Sequence, residues 1–435
     1  MNTLKLEDLY QPIGNLMTHP HYLPPSPGEP LYSTYGSNLG DLNQIKALAG
    51  HNHGNIMEMS GAGGDLNPNI GKFKAAAETL ERYCNAFYNE KQFIWATANE
   101  LGSEALDLDT VPLFSDKEVS NPMGPFVKPD KNQKIRWVRG VSLTNDRLIW
   151  IPSVMVYLFI PYQSPAEAFH LPISTGTATH TSYEQAIVNG INEVVERDAI
   201  SLTWLQKISW PRLTLDLDRL PSWAKEFYDE SEKNEHFKTI YLDATTDIGI
   251  PTIYSVQFTP HNEKISTVVM CTTALDPIEA FTKITREGAS VRLALQNLDS
   301  KKTDINEFVD VFDGAQYMGG PDKMKEFDFL SSSTETSELM NMPNLQHETS
   351  KEDLDYLVKK LKDKNMEVFV VDLTTDEAMR CGFRTVKVII PALQPLSFVY
   401  RAKYLAHPRL YEAPQNIGFK VRPEEEINSN PMPFA

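Results

Sequence analysis

The pentad E-x-x-E-R occurs twice in this chain, as Glu78-Thr-Leu-Glu81-Arg82 and as Glu193-Val-Val-Glu196-Arg197. On a helix, residues i and i+3 share a face and i+4 lies beside them. Each pentad can therefore aim two carboxylates and one guanidinium at one place. The flanking pattern predicts helices: Phe73 to Tyr88, with Ala75, Ala76, Ala77, Leu80 and Tyr83 between charges, and Thr181 to Gln206. Each follows a glycine-bearing segment, Ser60-Gly-Ala-Gly-Gly64 in one case and Ser174-Thr-Gly-Thr-Ala178 in the other. A lone Glu–Arg pair at helical spacing is ordinarily a solvated ion pair. Two copies with apolar residues between the acids point elsewhere. Four carboxylates brought together repel strongly unless cations sit among them. Magnesium suits an all-oxygen site that it shares with phosphates, and arginine holds phosphate oxygens in bidentate fashion. A third predicted helix, Pro277 to Leu298, carries Glu287-Gly-Ala-Ser290-Val-Arg292, a weaker version of the pattern. Together the three helices suggest a nucleotide held by Glu–Mg–phosphate bridges.

The rest of the chain bounds what surrounds them. Its 435 residues allow two or three domains or one large fold. A net charge of −17 argues against a nucleic-acid partner and a polybasic membrane patch. Three scattered cysteines, Cys84, Cys271 and Cys381, form no CxxC and no disulfide framework. No signal peptide opens the sequence, and Leu148 to Gln163, the longest apolar run, is too short and too proline-broken to span a bilayer. A soluble, reduced, cytoplasmic protein is expected. Residues 1–54, with the proline-rich run His19 to Pro30, read as an irregular accessory segment, 55–405 as the catalytic domain and 406–435 as a proline-punctuated tail. Predicted strands at Leu148–Phe159, Thr239–Leu242, Thr252–Phe258, Val368–Asp372 and Val386–Ile390 mix with helices without strict alternation. The fold class is α/β or α+β, with helices on mainly antiparallel sheets.

Neither a Walker loop nor a G-x-G-x-x-G turn is present, and there is no G-x-S-x-G elbow. His51-Asn-His53 could be a metal pair but has no partner histidines at a telling spacing and reads as a surface loop. His180, before the second helix, could face a substrate or be a plain loop residue.

The run from Ser174 to Ala199, with its serine–glycine loop followed by E-x-x-E-R-D-A, resembles the YcaO family. The first E-x-x-E-R-Y and the E-x-x-x-x-R of the third helix match that family's other two ATP-site helices in order. The resemblance covers roughly residues 55 to 435 and implies a YcaO-like fold with an internal pseudo-repeat. Ile390-Pro-Ala-Leu-Gln-Pro-Leu396, Arg409-Leu-Tyr411 and the tail Asn430-Pro-Met-Pro-Phe-Ala435 look like those of the azoline-forming cyclodehydratases, whose tail is P-x-P-x-P. This chain departs from the pattern at three places. Ala435 replaces the last proline, Lys74 or Ala75 occupies a usual serine position, and His180-Thr181 replaces a common Gly-Asn pair.

The resemblance implies the chemistry. A Cys, Ser or Thr side chain of a ribosomal precursor peptide attacks the preceding amide carbonyl, ATP phosphorylates the oxyanion, and loss of phosphate leaves the azoline. Catalysis is then mainly placement and charge neutralisation. ATP and Mg2+ are the implied cofactors. Glu78, Glu81, Glu193 and Glu196 are the implied metal ligands, and Arg197, Arg292, Gly63, Ser174 and Glu287 the implied ATP-binding residues. Pro431, Pro433 and Ala435 are assigned to the catalytic tail, with the Ala435 carboxylate as candidate proton acceptor. Implied partners are the precursor peptide, a separate leader-peptide-binding protein resembling a ubiquitin-activating enzyme, a flavin dehydrogenase in the same complex and a second copy in a homodimer. Thioamide or amidine formation by a YcaO enzyme, or a silent scaffold subunit, are the competing readings.

Overall fold

The computed structural model describes residues 4–10, 16–40, 60–298 and 302–435; His51 and His53 lie outside the described residues. Fourteen strands form three sheets among the described residues. The first contains β1 (His21–Tyr22), β2 (Ser33–Asn38) and β3 (Ser60–Asp65), paired antiparallel in that order. The second sheet is built on β4 (Ile94–Ala96), β5 (Ile135–Ser142), β6 (Arg147–Pro152) and β7 (Thr177–His180), joined by two late strands, β13 (Phe369–Asp372) and β14 (Arg384–Ile389). Its order is β4-β5-β13-β14-β7, with β6 on β5, all antiparallel. The third contains β8 (Arg212–Thr214), β9 (Lys238–Asp243), β10 (Thr252–Phe258), β11 (Thr267–Thr273) and β12 (Thr336–Glu338) in the order β11-β10-β9-β8-β12. Only its β8–β12 pair is parallel.

The helices are α1 (Pro68–Ala86), α2 (Ala98–Leu101), α3 (Asp116–Val119), α4 (Tyr183–Leu205), α5 (Ser222–Ser231), α6 (Pro277–Gln296), α7 (Val311–Met318), α8 (Ser350–Lys362), α9 (Asp376–Arg380) and α10 (Arg409–Asn416). Helices on mainly antiparallel sheets are the predicted class. Helix α1 lies directly on β3, because the glycines there let backbones touch: a Cβ on Gly63 would stand 2.5 Å from the Ala75 nitrogen. One apolar core fills the sheet around Trp137, Ile149, Ile151 and Phe369, and α4 and α8 close another over β14.

Two local expectations are corrected, and one strand escaped the sequence reading. The proline-rich N-terminal stretch contains strands β1 and β2, because its prolines fall outside Ser33–Asn38 and leave the ladder N–H groups intact. The strand expected over Leu148–Phe159 ends at Pro152, after which Ser153–Met155 turn as a 3-10 helix. Strand β11, Thr-Val-Val-Met-Cys-Thr-Thr, is buried on both faces and so shows no alternation to read.

Candidate active site

The three long helices open in the same way. A strand leads into a polar N-cap and then a helix: β3, Asn67 and α1; β7, Ser182 and α4; β11, Asp276 and α6. Each cap side chain accepts a backbone N–H of the first turn, from Asn69, Gln185 and Ile278 respectively. Pro68 and Pro277 stand at the first helical position, where the missing N–H costs nothing. The pseudo-repeat is thus physical, three strand–cap–helix units facing one cleft of ≈ 1550 Å³.

Glu78, Glu81, Glu193, Glu196 and Glu287 all line that cleft. The first acid of each pentad ties back to its own unit: the Ala62 N–H donates to Glu78 Oε2 (2.9 Å) and the Gly176 N–H to Glu193 Oε2 (3.1 Å). The second acid reaches the strand of the next unit. The Thr179 N–H on β7 donates to Glu81 Oε2 (2.9 Å), and the Thr273 N–H on β11 to Glu196 Oε2 (3.0 Å). These second acids are the deeper ones, 18% exposed for Glu81 against 36% for Glu78, and 4% for Glu196 against 23% for Glu193. Each pair shares its arginine. Arg82 lies 2.9 Å from Glu78 and 3.9 Å from Glu81; Arg197 lies 3.4 Å from Glu193 and 3.0 Å from Glu196.

Burial and crowding dominate the electrostatics. Burial pushes the Glu81 carboxyl up to about 8; Arg82 opposes this, and the neighbouring Glu193 and Glu78 add to it. Burial also raises Glu196 against the pull of Lys283 and Arg197. Burial opposes charge on Arg82 and Arg197, but the carboxylates around them win and hold both guanidiniums above their ordinary value. Lys283, 3.4 Å from Glu196 and 4.0 Å from Glu287, is raised in the same way. Among the described residues no three acidic, His or Cys side chains converge as a ready metal cage. Each carboxylate is turned onto an arginine or a backbone N–H instead. The donor set nevertheless fits a hard divalent cation, being carboxylate oxygen throughout, and burial together with the neighbouring acids raises Glu81.

Of the other expected residues, Gly63, Ser174 and Arg197 line the cleft. Arg292 does not, and its assignment to phosphate is corrected. It is fully buried on the far face of α6, where Nε and Nη2 donate to the two Glu29 oxygens at 2.9 Å and Nη1 to Thr259 Oγ1 at 3.1 Å. At about 100° per residue it falls roughly 140° around the helix from Glu287. Arg286 and Lys283 are the α6 cations in the cleft. Both were legible from spacing, Lys283 one turn before Glu287 and Arg286 one turn before Ser290, but the sequence reading followed only Glu287, Ser290 and Arg292. Arg82, Lys74 and Asn192 also line the cleft, and Asn192 Oδ1 is buried without a hydrogen-bond partner among the described residues. His180 lines it too. In the tail, Ala435 reaches the cleft, whereas Pro431 and Pro433 are buried but are not among its lining. The tail is held by Phe434 edge-on to Tyr254 (5.7 Å) and by the Trp204 indole N–H donating to the Asn430 carbonyl (3.4 Å).

Paired acids and arginines on two adjacent helices face one cleft. The family model of YcaO cyclodehydratases, ATP- and Mg2+-binding, matches residues 62–394, and the chain belongs to the YcaO family. ATP and Mg2+ are its cofactors. An uncharacterized protein of Methanothermobacter thermautotrophicus is 27% identical over 275 residues, 62% of this chain and 68% of that protein. A heterocyclase solved in complex with substrate and cofactor superposes with a TM-score of 0.80 at 22% identity, covering 99% of this chain and 56% of that one. The heterocyclase TruD gives 0.65 at 24%, covering 85% and 52%. The YcaO protein of Methanopyrus kandleri, bound with AMPPCP and Mg2+, gives 0.62 at 16%, covering 91% and 89%. At these identities the likeness is one of fold, and the chain spans about half the length of the two heterocyclases.

Proposed function

We propose that this chain is an ATP-dependent cyclodehydratase that converts Cys, Ser or Thr of a ribosomal precursor peptide to azolines. The observation that carries the reading is the anchoring of Glu81 and Glu196 to the strand of the next unit, at the Thr179 and Thr273 N–H groups, with four carboxylates and two arginines lining one cleft. The bound nucleotide supplies a phosphoryl group that turns a poorly leaving amide oxygen into a good leaving group. The chain's own residues position and neutralise. Glu78, Glu81, Glu193, Glu196 and Glu287 hold cations, and Arg82, Arg197, Lys283 and Arg286 meet phosphate charge. A cleft of ≈ 1550 Å³ exceeds the roughly 300–1,000 Å³ of a single small-ligand site, leaving room for peptide beside nucleotide. The apolar lining of Leu171, Phe312 and Phe398 suits an extended peptide. Ala435 at the cleft supports a tail that serves the chemical step.

Access to the peptide is proposed to come from a separate leader-binding protein, with a flavin dehydrogenase and a second copy of this chain in the assembly. The test is mass spectrometry of a candidate peptide incubated with this protein, the partner and Mg-ATP. Loss of about 18 Da per ring supports azoline formation, and gain of about 16 Da indicates a thioamide instead. An unchanged peptide with intact Mg-ATP binding would favour a scaffold subunit.

A further inference from the structure

The end of the chain reaches the cleft with little backbone anchorage of its own. Pro431 and Pro433 offer no N–H to a ladder. Among the described residues the tail's hydrogen bonds stop at Asn430. Upstream, the Asn428 N–H donates to the Leu205 carbonyl (2.9 Å) and its amide to the Trp204 carbonyl (3.1 Å), while the Asn430 amide donates to Glu326 (2.7 Å). The five residues beyond Asn430 span up to about 17 Å when extended, so a small change at the anchor moves Ala435 far. Two packing contacts lie along that span. Phe434 meets Tyr254, and the Met432 backbone lies on Gly314 of α7, where a Cβ would collide with the Met432 carbonyl oxygen.

Lys403 supplies the charged anchor. Its ammonium reaches the Asn430 carbonyl (3.3 Å) and the Asn428 carbonyl (3.5 Å) and lies 4.4 Å from the centre of the Tyr400 ring. Among the described residues no carboxylate comes within ion-pair reach of it; Glu118 on α3 acts on it only from a distance. An ammonium drawn out of water without an acid beside it is costly, and the tail carbonyls take its donors instead. The backbone carrying Lys403 is fixed in turn. Glu118 accepts the Lys403 and Leu405 N–H groups. Tyr404, between them, is left-handed (φ +57°), which is unusual for an aromatic residue. Its ring stacks on Phe114 (4.4 Å) and its hydroxyl accepts the Leu171 N–H (2.8 Å). Such a conformation persists only where its surroundings over-determine it.

We infer that Lys403 is a positioning residue that latches the tail: its ammonium on the Asn428 and Asn430 carbonyls, with the bare Gly314 beneath Met432, sets where Ala435 stands in the cleft. An effect on peptide turnover rests on the reading above that the tail serves the chemical step; the latch does not. Desolvation lowers the Lys403 amine to about 8 against the opposing pull of Glu118, and Tyr400, raised by burial, stays neutral over that range. The latch is therefore charged below about pH 8 and loosens above it.

The test is digestion of the full chain with carboxypeptidase Y, followed by mass spectrometry of the loss of Ala435 and Phe434. A free peptide of residues 428–435 corrects for the protease's own pH dependence. At about pH 6.5, Lys403→Met should be trimmed at least about tenfold faster than wild type, as loss of a charge-assisted hydrogen bond implies. Wild type should approach that rate at about pH 9, whereas the corrected Lys403→Met rate should not change with pH. Gly314→Ala should also be trimmed faster, with the wild-type pH response retained. Thermal melts at both pH values check that each protein is folded. Trimming of either folded variant at the wild-type rate would overturn the proposal; where Lys403→Met is unfolded, a wild-type rate that is flat with pH does so. Peptide turnover with Mg-ATP is measured in parallel, and kcat should fall in both variants at an unchanged KM for ATP. Normal turnover in a variant whose tail is freed would count against the tail's part in the chemistry alone.

Discussion

Replacing Glu81 by glutamine tests whether the acid cluster is strained until a cation arrives. Glu81 is 18% exposed, and burial with Glu193 and Glu78 nearby pushes its carboxyl up to about 8 from an ordinary 4.5. A carboxyl raised in the fold keeps its proton where the unfolded chain has already lost it. Its contribution to stability is full below about pH 4.5 and is lost as pH rises toward 8. At about 1.4 kcal/mol per pH unit the loss approaches about 5 kcal/mol, and residual exposure brings the expectation to about 2–4 kcal/mol. Glutamine keeps the shape and the acceptor for the Thr179 N–H but cannot ionise. Urea unfolding at pH 5 and pH 8.5 should show Glu81→Gln equal to wild type at the lower pH and more stable by that amount at the higher. Adding Mg-ATP should reverse the ranking, because a deprotonated carboxylate is the cation's ligand. A variant less stable than wild type at pH 8.5, or a difference independent of pH, would refute the argument.

Other consequences can be measured in the same way. Asp198 is fully buried and receives the Arg409 guanidinium at 3.0 and 2.7 Å and the Gln394 N–H at 2.8 Å, so Asp198→Asn should cost about 3–5 kcal/mol in denaturant unfolding. A cost under about 1 kcal/mol would mean that Asp247, 2.7 Å from Arg409, suffices alone. His170 and His407 are held neutral by burial, at about 3 and about 4. Their stabilisation is full above pH 6.5 and falls as pH drops below it, at up to about 3 kcal/mol per unit for the two together, and His407→Asn should roughly halve that slope. Phe434→Ala should destabilise the fold by about 3–5 kcal/mol. Ala435→Trp should instead cut peptide turnover at nearly unchanged Tm, because Ala435 faces the cleft; unaffected turnover would remove the tail from the chemistry.

Local chemistry made much of this protein legible from its residues alone. The three acid helices and the pentads depend on i, i+3 and i+4 geometry, which neighbours in sequence settle between themselves, although the Asn67 cap starts α1 at Pro68, five residues before the expected Phe73. What needed tertiary structure were pairings across long stretches of chain. Arg292 was set aside by Glu29, a residue of a proline-rich segment that looked irregular until β2 paired with β3. Strand β11 had no alternation to reveal it because packing covers both faces. The contacts between units join Glu81 to Thr179 and Glu196 to Thr273, and whether a helix face looks into a cleft or a core depends on how the helix docks. Helical periodicity says which side chains travel together; only the packed sheets decide which way they face.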